Sequence, residues 1–303
     1  MYVYLNNRVV PALDARVSVF DHGFLYGDGI YETMRSYDGV VFMLDEHIRR
    51  LYRSASLIGL RIPKNVAGIK AAIHETLEAN SLENAYVRLT VSRGSGPVGL
   101  DPELCKKPTF VIIANEFKEY PKTHYKNGIK LIIAETKRNL KEAVNPQIKS
   151  LNFLNNILAK VEAKERGAHE ALMLNSMGYL TEGTISNIFF VINHPPIPPL
   201  TRGGERGVIL CTPSVDCGIL DGITRKIILE LAVKNRIKIK EGRFRKEALY
   251  NASEVFITNT TMEVMPVCRV DAVKYSARGI TKLLHKTYRK FVQAYIKNQD
   301  SFR

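Results

Sequence analysis

Short apolar runs alternate with amphipathic helical segments in both halves of the chain, and this alternation limits the fold more than any other feature. Residues 109–114 and 129–135 are rich in β-branched side chains, as buried strands are. Apolar residues at helical spacing predict helices over 45–60 and 150–166. Strands and helices that alternate in this way predict a mixed α/β protein of two domains.

The domain boundary is expected where a mostly polar stretch ends in Asn127-Gly128, a turn-forming pair. We therefore expect a smaller N-terminal α/β domain over residues 1–118, a linker over 119–128 and a larger C-terminal α/β domain over 129–303. Residues 193–207 carry four prolines and three glycines, which is typical of a long exposed loop or insertion. A proline-rich docking motif is the alternative.

The formal net charge of +14 is spread along the 303 residues. Most of it is expected to be solvated surface, and part of it would favour phosphorylated cofactors and carboxylate substrates. The four cysteines form no CxxC pair and the seven histidines are scattered, so we expect neither a metal site nor a disulfide framework. No apolar run is long enough to span a bilayer. A cytoplasmic protein without nucleic-acid or membrane partners is expected.

Lys149 follows a proline-containing loop and precedes the helix predicted over 150–166, for which Ser150 is the expected N-cap. A cation is disfavoured near a helix N-terminus, so this position would lower the pKa of the amine and favour Schiff-base chemistry. An ordinary exposed lysine is the alternative. In the same helix the apolar residues Leu151, Leu154, Leu158 and Val161 are expected to share the buried face.

Two segments could bind phosphate. Gly222 precedes an amphipathic helix, which would leave the amides of Ile223 and Thr224 available at its N-terminus. In residues 257–262 (ITNTTM) a strand runs into a hydroxyl-rich turn. A simple helix cap and an ordinary turn are the alternatives.

Two further side chains could bind charged groups. Residues 86–92 alternate, with Val87, Leu89 and Val91 on the expected core face, so Arg88 would lie beside Tyr86 on the other face and could bind a carboxylate. The alternative is a solvated sheet face. Glu182 enters a strongly apolar strand and needs a partner. A protonated pyridine nitrogen or an arginine would serve.

Six segments, in this order, resemble the class IV aminotransferases, the family of branched-chain and D-amino-acid aminotransferases and aminodeoxychorismate lyase. They are FDHGFLYGDGIYETMR, LDEHIRRL, NPQIKSLNFLNNILAKVEA, GYLTEGTISNIFFV, ILDGITR and EVFITNTTMEVMPV. The resemblance covers nearly the whole chain. It implies the two-domain fold of D-amino-acid aminotransferase-like enzymes (fold type IV), pyridoxal 5'-phosphate (PLP) as cofactor and a homodimer.

The resemblance also implies residue roles. Lys149 should hold PLP covalently and move the proton of the substrate, and Glu182 should keep the pyridine nitrogen protonated. The remaining cofactor contacts would be made by Arg50, Leu220, Ile223, Thr224 and Thr260. The substrate site would be formed by Tyr31, Tyr86, Arg88, Thr260 and Thr261.

The subgroup is judged from a few positions. D-amino-acid aminotransferases carry an arginine and a histidine where this chain has Val98 and Leu100, whereas the Tyr86-x-Arg88 pair and the GLDP segment at 99–102 resemble branched-chain enzymes. Phe153 departs from the tyrosine common in that subgroup. Tyr31-Glu-Thr resembles the D-amino-acid or lyase forms, and the RGSG segment at 93–96 resembles the lyases.

The leading hypothesis is therefore transfer of the amino group of branched-chain L-amino acids to 2-oxoglutarate. Aminodeoxychorismate lyase activity and D-amino-acid transamination are the alternatives within the family. A basic binding protein on a degenerate enzyme scaffold is the alternative from another class.

Overall fold

The computed structural model describes residues 1–193 and 207–300. Its internal contacts divide the chain into two units. Unit 1 comprises Met1–Glu119, Ile148–Phe153 and Gln293–Arg303, and unit 2 comprises Tyr120–Gln147 and Leu154–Val292. The proline- and glycine-rich insertion expected over 193–207 lies, except for its two end residues, outside the described residues.

Unit 1 is built on a six-stranded antiparallel sheet with the strand order β2-β1-β6-β5-β3-β4. Its strands are β1 (Tyr2–Leu5), β2 (Arg8–Pro11), β3 (Gly29–Tyr37), β4 (Val40–Val41), β5 (Ala85–Ser92) and β6 (Thr109–Glu116). Its helices are α1 (His22–Tyr26), α2 (Leu44–Leu57) and α3 (Val66–Ala79).

The core of unit 1 follows from the alternation along β5. Val87, Leu89 and Val91 are buried and Arg88 is half-buried, as the period-two pattern predicts. Helices α2 and α3 contribute buried apolar side chains to the same cluster. The strand and both helices each have an apolar face. These faces pack together, so the helices cover one face of the sheet.

Unit 2 contains a nine-stranded mixed sheet with the order β12-β11-β10-β13-β14-β7-β8-β9, with β15 paired to β14. The strands are β7 (Ile129–Ile133), β8 (Glu170–Leu174), β9 (Leu180–Gly183), β10 (Asn187–Asn193), β11 (Val208–Pro213), β12 (Lys238–Gly242), β13 (Glu254–Asn259), β14 (Glu263–Val270) and β15 (Val273–Lys274). The remaining helices are α4 (Lys122–Asn127), α5 (Leu154–Glu165), α6 (Ile223–Lys234), α7 (Lys246–Tyr250) and α8 (Gly279–Asp300), whose last residues are assigned to unit 1.

The helix expected from Ser150 begins instead at Leu154, so Ser150 is not its N-cap. Residues 148–153 pair with β3: the Leu151 amide donates to the Gly29 carbonyl, and Ser150 forms a bridge with Ile30. These pairings join residues far apart in sequence, so the local helical periodicity could not reveal them. They also assign Lys149 to unit 1, although we expected it in the C-terminal domain.

The expected buried face of α5 is also wrong. Leu154, Leu158 and Val161 are exposed, whereas Ala159 and Ala163 are buried against β8 and its neighbours. Small side chains let the helix approach the sheet closely, so the bulky apolar residues occupy the outer face. An apolar stripe at helical spacing does not by itself distinguish a core face from an exposed one.

Candidate active site

Lys149 lies in residues 148–153, an extended stretch that pairs with β3 and separates the two segments of unit 2 in sequence. The Tyr31 amide donates to the Lys149 carbonyl at 2.9 Å, and the Lys149 amide donates to the Ser54 hydroxyl of α2 at 3.2 Å. The side-chain amine donates to the Tyr31 hydroxyl at 3.0 Å. Because α5 begins five residues later, the expected influence of a helix N-terminus on Lys149 does not apply.

Tyr31 is the centre of a cluster in unit 1. The guanidinium carbon of Arg88 lies 4.0 Å from the Tyr31 ring centroid and the Lys149 amine lies 4.3 Å from it. The Phe153 ring lies 5.3 Å from the Tyr31 ring. Cations above an aromatic face are attracted by the ring, so Tyr31 attracts both a guanidinium and an amine. Tyr86 is half-buried on the same face of β5, two residues from Arg88.

Arg50, expected to contact a phosphate, is paired within unit 1. Its Nε and Nη2 atoms donate to the two carboxylate oxygens of Glu32 at 2.7 and 2.8 Å, and His47 Nδ1 lies 2.7 Å from Glu32 Oε2. All three side chains are buried. Glu32 fixes the direction of the guanidinium, because it occupies the edge formed by Nε and Nη2.

The charges of this triad are set by burial and by one another. Burial alone would raise the pKa of Glu32, but the charges and hydrogen bonds of Arg50 and His47 lower it to about 2. Burial lowers the pKa of His47 and outweighs the opposing effect of Glu32. His47 is therefore neutral near pH 7, with its Nδ1 proton donated to Glu32.

Glu182 lies on β9 of unit 2 and is buried. Arg138 Nε donates to Glu182 Oε1 at 3.0 Å, and Arg138 Nη2 lies 2.9 Å from the same oxygen. Oε2 accepts from the Asn187 amide at 3.2 Å and from the Leu220 backbone amide at 3.0 Å. Of the two partners considered from the sequence, the arginine is present, and the contact with a pyridine nitrogen stays a prediction.

The N-terminus of α6 has the features of an anion site. Its N-cap is Gly222, and no side chain caps the helix. Ile223 and Thr224 form the first turn and are buried. A Cβ on Gly222 would lie 2.1 Å from Asn187 Oδ1, so the close approach requires glycine. First-turn amides without a capping side chain bind phosphate readily.

The hydroxyl-rich turn after β13 also belongs to unit 2. Asn259 Oδ1 accepts from the Thr261 amide at 3.0 Å and from the Met262 amide at 2.6 Å. The Thr261 hydroxyl donates to the same oxygen at 3.1 Å. Thr260 and Thr261 are half-buried. An asparagine thus orders this turn and places two threonines at its tip.

The loop expected to carry subgroup specificity begins at Gly94. A Cβ at Gly94 (φ +98°) would lie 1.8 Å from the Lys107 carbonyl oxygen, so only glycine fits there. His22 Nε2 lies 3.0 Å from the Pro97 carbonyl oxygen and the Gly99 amide donates to the Tyr26 hydroxyl at 3.2 Å. Val98 and Leu100 are exposed, so the loop is anchored on α1 and presents apolar side chains.

Four polar residues that contact predicted site residues were not singled out from the sequence: Glu32, His47, Arg138 and Asn187. Glu32 and His47 each lie inside one of the segments that resemble the family. A carboxylate and a histidine in those segments were the sequence feature that could have indicated partners for Arg50. For Arg138, the sequence indicated only that a buried Glu182 needs a cationic partner. Choosing among the arginines required the strand order, in which β8 lies between β7, the strand that precedes Arg138, and β9, the strand of Glu182.

The described residues contain no group of three or more histidine, cysteine or acidic side chains placed to hold a metal ion. Among the helices that the structure describes, none is both long enough and apolar enough to cross a membrane.

Comparison with known proteins places the chain in a family. The model named amino-transferase class IV matches residues 29–270. A putative branched-chain-amino-acid aminotransferase from Methanocaldococcus jannaschii is 42% identical over 96% of this chain and 95% of its own length. The aminodeoxychorismate lyase of Bacillus subtilis is 34% identical over 96% and 94%, and a D-alanine aminotransferase of Bacillus licheniformis is 36% identical over 89% of each chain.

A solved structure supports the same assignment. The branched-chain aminotransferase of Thermoproteus uzoniensis, crystallised with norvaline, has a TM-score of 0.86 and 32% identity, and the match covers 96% of this chain and 94% of that chain. The fold is thus that of the fold type IV PLP enzymes. The chain belongs to the class IV aminotransferases. It is a PLP-dependent transaminase.

Proposed function

We propose that this enzyme transfers the amino group of branched-chain L-amino acids to 2-oxoglutarate. The observation that carries the proposal is the cluster in which the Arg88 guanidinium and the Lys149 amine both contact the ring of Tyr31. It supplies a cation for a substrate carboxylate beside an amine that can exchange protons with the substrate. The 42% identity to a putative branched-chain aminotransferase supports the same substrate class.

The residues present fit PLP. Lys149 offers a half-buried amine that donates to a neutral hydroxyl. Glu182 offers a buried carboxylate, and α6 begins with a glycine-capped first turn. When bound, PLP supplies an electron sink that stabilises negative charge at the substrate α-carbon.

We assign the cofactor contacts as follows. Lys149 holds the aldehyde carbon, and Glu182 contacts the ring nitrogen. Arg50, Ile223, Thr224 and Thr260 bind the phosphate, and Leu220 packs against the ring. Glu32 keeps the Arg50 guanidinium in one direction, and Asn259 orders the turn that carries Thr260.

We assign the substrate contacts to Tyr31, Tyr86, Arg88, Thr260 and Thr261. Arg88 binds a carboxylate, and the Tyr31 hydroxyl orients the Lys149 amine through the 3.0 Å hydrogen bond. Lys149 removes the proton from the substrate α-carbon as a general base. Val98 and Leu100 are exposed. They suit a substrate with an apolar side chain better than the arginine and histidine at the matching positions of D-amino-acid aminotransferases would.

Lyase activity on aminodeoxychorismate is the second candidate. It is favoured by the Arg93-Gly-Ser-Gly96 segment and by the 34% identity to a lyase of Bacillus subtilis. D-amino-acid transamination is the third and is supported by the D-alanine aminotransferase relative.

We also propose a homodimer. The outer face of α5 exposes four apolar side chains, Leu154, Ile157, Leu158 and Val161, with 46–64% of each accessible. A contiguous apolar helix face is costly in water and is typical of a subunit interface. Sedimentation should give a dimer for the wild type and a monomer for Leu158→Glu, and a monomeric wild type would contradict this assignment.

A cytoplasmic location is proposed as well. The cysteines Cys105, Cys211, Cys217 and Cys268 are all unpaired, which is the usual state in a reducing compartment. The amino and oxo acids that the enzyme is proposed to use are its expected partners there.

The substrate assignment is tested by a half-reaction panel. The PLP-loaded enzyme is mixed with L-leucine, D-alanine or aminodeoxychorismate, and the loss of the visible absorbance of the lysine-bound cofactor is followed. We expect L-leucine to react fastest and to yield its oxo acid. Faster reaction with D-alanine, or release of pyruvate and 4-aminobenzoate from aminodeoxychorismate, would replace the proposal with the corresponding alternative.

A further inference from the structure

Arg138 is a cation that lies directly on the carboxylate of Glu182 and is outside the assigned contacts. Its Nε and Nη2 atoms lie 3.0 and 2.9 Å from Glu182 Oε1. The two side chains are only 10% and 7% exposed. A pair so well screened from water interacts more strongly than a surface pair.

The hydrogen-bond capacity of Glu182 is already in use. A carboxylate offers about four acceptor positions. Arg138 takes two on Oε1, and the amides of Asn187 and Leu220 take two on Oε2. A ring nitrogen that donates to Glu182 therefore shares this carboxylate with a resident guanidinium.

Arg138 is held in place by contacts of its own. Its Nη1 donates to Asn156 Oδ1 at 3.3 Å, and its backbone amide donates to the Leu174 carbonyl at 2.9 Å. The buried Asn156 amide in turn donates to the Thr184 carbonyl at 2.6 Å. A chain of hydrogen bonds from α5 through Arg138 thus fixes the cation against Glu182.

We propose that Arg138 is a positioning residue that shares the negative charge of Glu182 and thereby lowers the proton affinity of the cofactor ring nitrogen. The inference rests on the proposed contact between Glu182 and that nitrogen. A carboxylate attracts a pyridinium proton through its negative potential, and a second cation on the same carboxylate reduces that potential. Asn156 acts one step further out, since it orients the guanidinium.

The test follows the ring nitrogen directly. Protein loaded with PLP that carries ¹⁵N in the ring is titrated with alkali, and the ¹⁵N chemical shift reports when the ring proton is lost. Arg138→Gln removes the charge and keeps a hydrogen-bonding side chain. We expect the proton to be lost about one to two pH units higher than in the wild type, the size of one unit charge at a distance of about 7 Å in a partly screened site.

Two matched variants separate charge from structure. Arg138→Lys retains the charge and should titrate close to the wild type. Arg278→Gln alters a half-buried arginine of unit 2 that donates to the carbonyls of Lys126 and Asn127, and it should leave the ¹⁵N titration unchanged. Should the wild type keep its ring proton over the whole range, the ¹H resonance of the ring N–H should move downfield in Arg138→Gln.

Arg138→Met supplies a second route if Arg138→Gln does not fold. Its neutral side chain also removes the cation from Glu182 and should shift the titration upward by a similar amount. The proposal is overturned if Arg138→Gln, or Arg138→Met in its place, titrates like the wild type or at lower pH, or if Arg138→Lys behaves like Arg138→Gln.

The proposed function fails in a different way. A wild type that takes up no PLP, or whose ¹⁵N signal is unchanged by Glu182→Gln, would remove the contact on which the inference depends. If PLP binds and Glu182→Gln lowers the ring-nitrogen pKa while the Arg138 variants have no effect, only the role of Arg138 is lost.

Discussion

The side-chain amine of Lys149 lies 3.0 Å from the hydroxyl oxygen of Tyr31. The two residues also pair through their backbones, since the Tyr31 amide donates to the Lys149 carbonyl at 2.9 Å. The Lys149 amine is therefore placed by a residue of β3 and not by the helix that follows it. Because these residues pair with β3, residues 148–153 are part of unit 1.

Tyr31→Phe should lower kcat about fivefold. The variant keeps the ring that carries Arg88 and loses the hydrogen bond that orients the amine, and one such bond contributes roughly 1 kcal/mol. Steady-state kinetics with the preferred amino acid provides the measurement. Tyr4→Phe, which alters a buried tyrosine of the same sheet, is the control, and equal rates for the two variants would contradict the role of the hydroxyl.

Arg88→Gln should raise the KM for 2-oxoglutarate by about ten- to a hundredfold with a smaller change in kcat. The guanidinium provides the charge-assisted hydrogen bonds that hold a substrate carboxylate, which contribute roughly 1.5–3 kcal/mol. Arg61→Gln removes an exposed arginine of unit 1 and should leave KM unchanged. An unaltered KM in Arg88→Gln would show that another side chain binds the substrate carboxylate.

Gly222→Ala should weaken PLP binding by tenfold or more. The added Cβ would lie 2.1 Å from Asn187 Oδ1, and the Asn187 amide also donates to Glu182. The change therefore disturbs both the first turn of α6 and the carboxylate. Fluorescence or absorbance titration of the cofactor-free protein with PLP measures the effect.

The matched control is Gly279→Ala, where the new Cβ would meet Glu254 Oε1 at an ordinary 3.5 Å. It should bind PLP like the wild type. Equal PLP affinities for the two alanine variants would show that binding of the cofactor phosphate does not depend on the start of α6.

Much of this arrangement was predictable from local patterns. The alternation along β5 placed Arg88 on the half-buried face, and the glycine before α6 marked an uncapped helix start. Both are properties of a few neighbouring residues. The true start of α5 and the choice of Arg138 as the partner of Glu182 depend on pairing between segments far apart in sequence, for which local periodicity carries no signal.

The exposed face of α5 shows a further limit. The sequence has leucines and valine at helical spacing, yet the alanines Ala159 and Ala163 pack inward. Periodicity identifies an apolar face, but only the closeness of the helix to its sheet decides which face is buried.

Acid should destabilise the protein through the Glu32 triad. The pKa of Glu32 is lowered from 4.5 to about 2. Its contribution to the free energy of unfolding is therefore complete above about pH 4.5 and is lost as the pH falls toward 2. The pKa of His47 is lowered from 6.5, so folding is also weakened as the pH falls below that value, because the unfolded chain binds the proton more readily.

Urea unfolding followed by circular dichroism at a series of pH values measures both effects. His47→Asn should flatten the dependence between about pH 7 and 5, and Glu32→Gln should remove a dependence at lower pH that is on the order of 3 kcal/mol. Profiles that match the wild type would show that the triad does not control acid stability.

Borohydride reduction tests most directly whether Lys149 holds PLP. The PLP-loaded protein is reduced, digested, and mapped by mass spectrometry. We expect one pyridoxyl-phosphate adduct, on Lys149, that disappears in Lys149→Ala together with the visible absorbance of the bound cofactor. An adduct on another lysine, or absorbance that persists in Lys149→Ala, would show that Lys149 does not hold the cofactor.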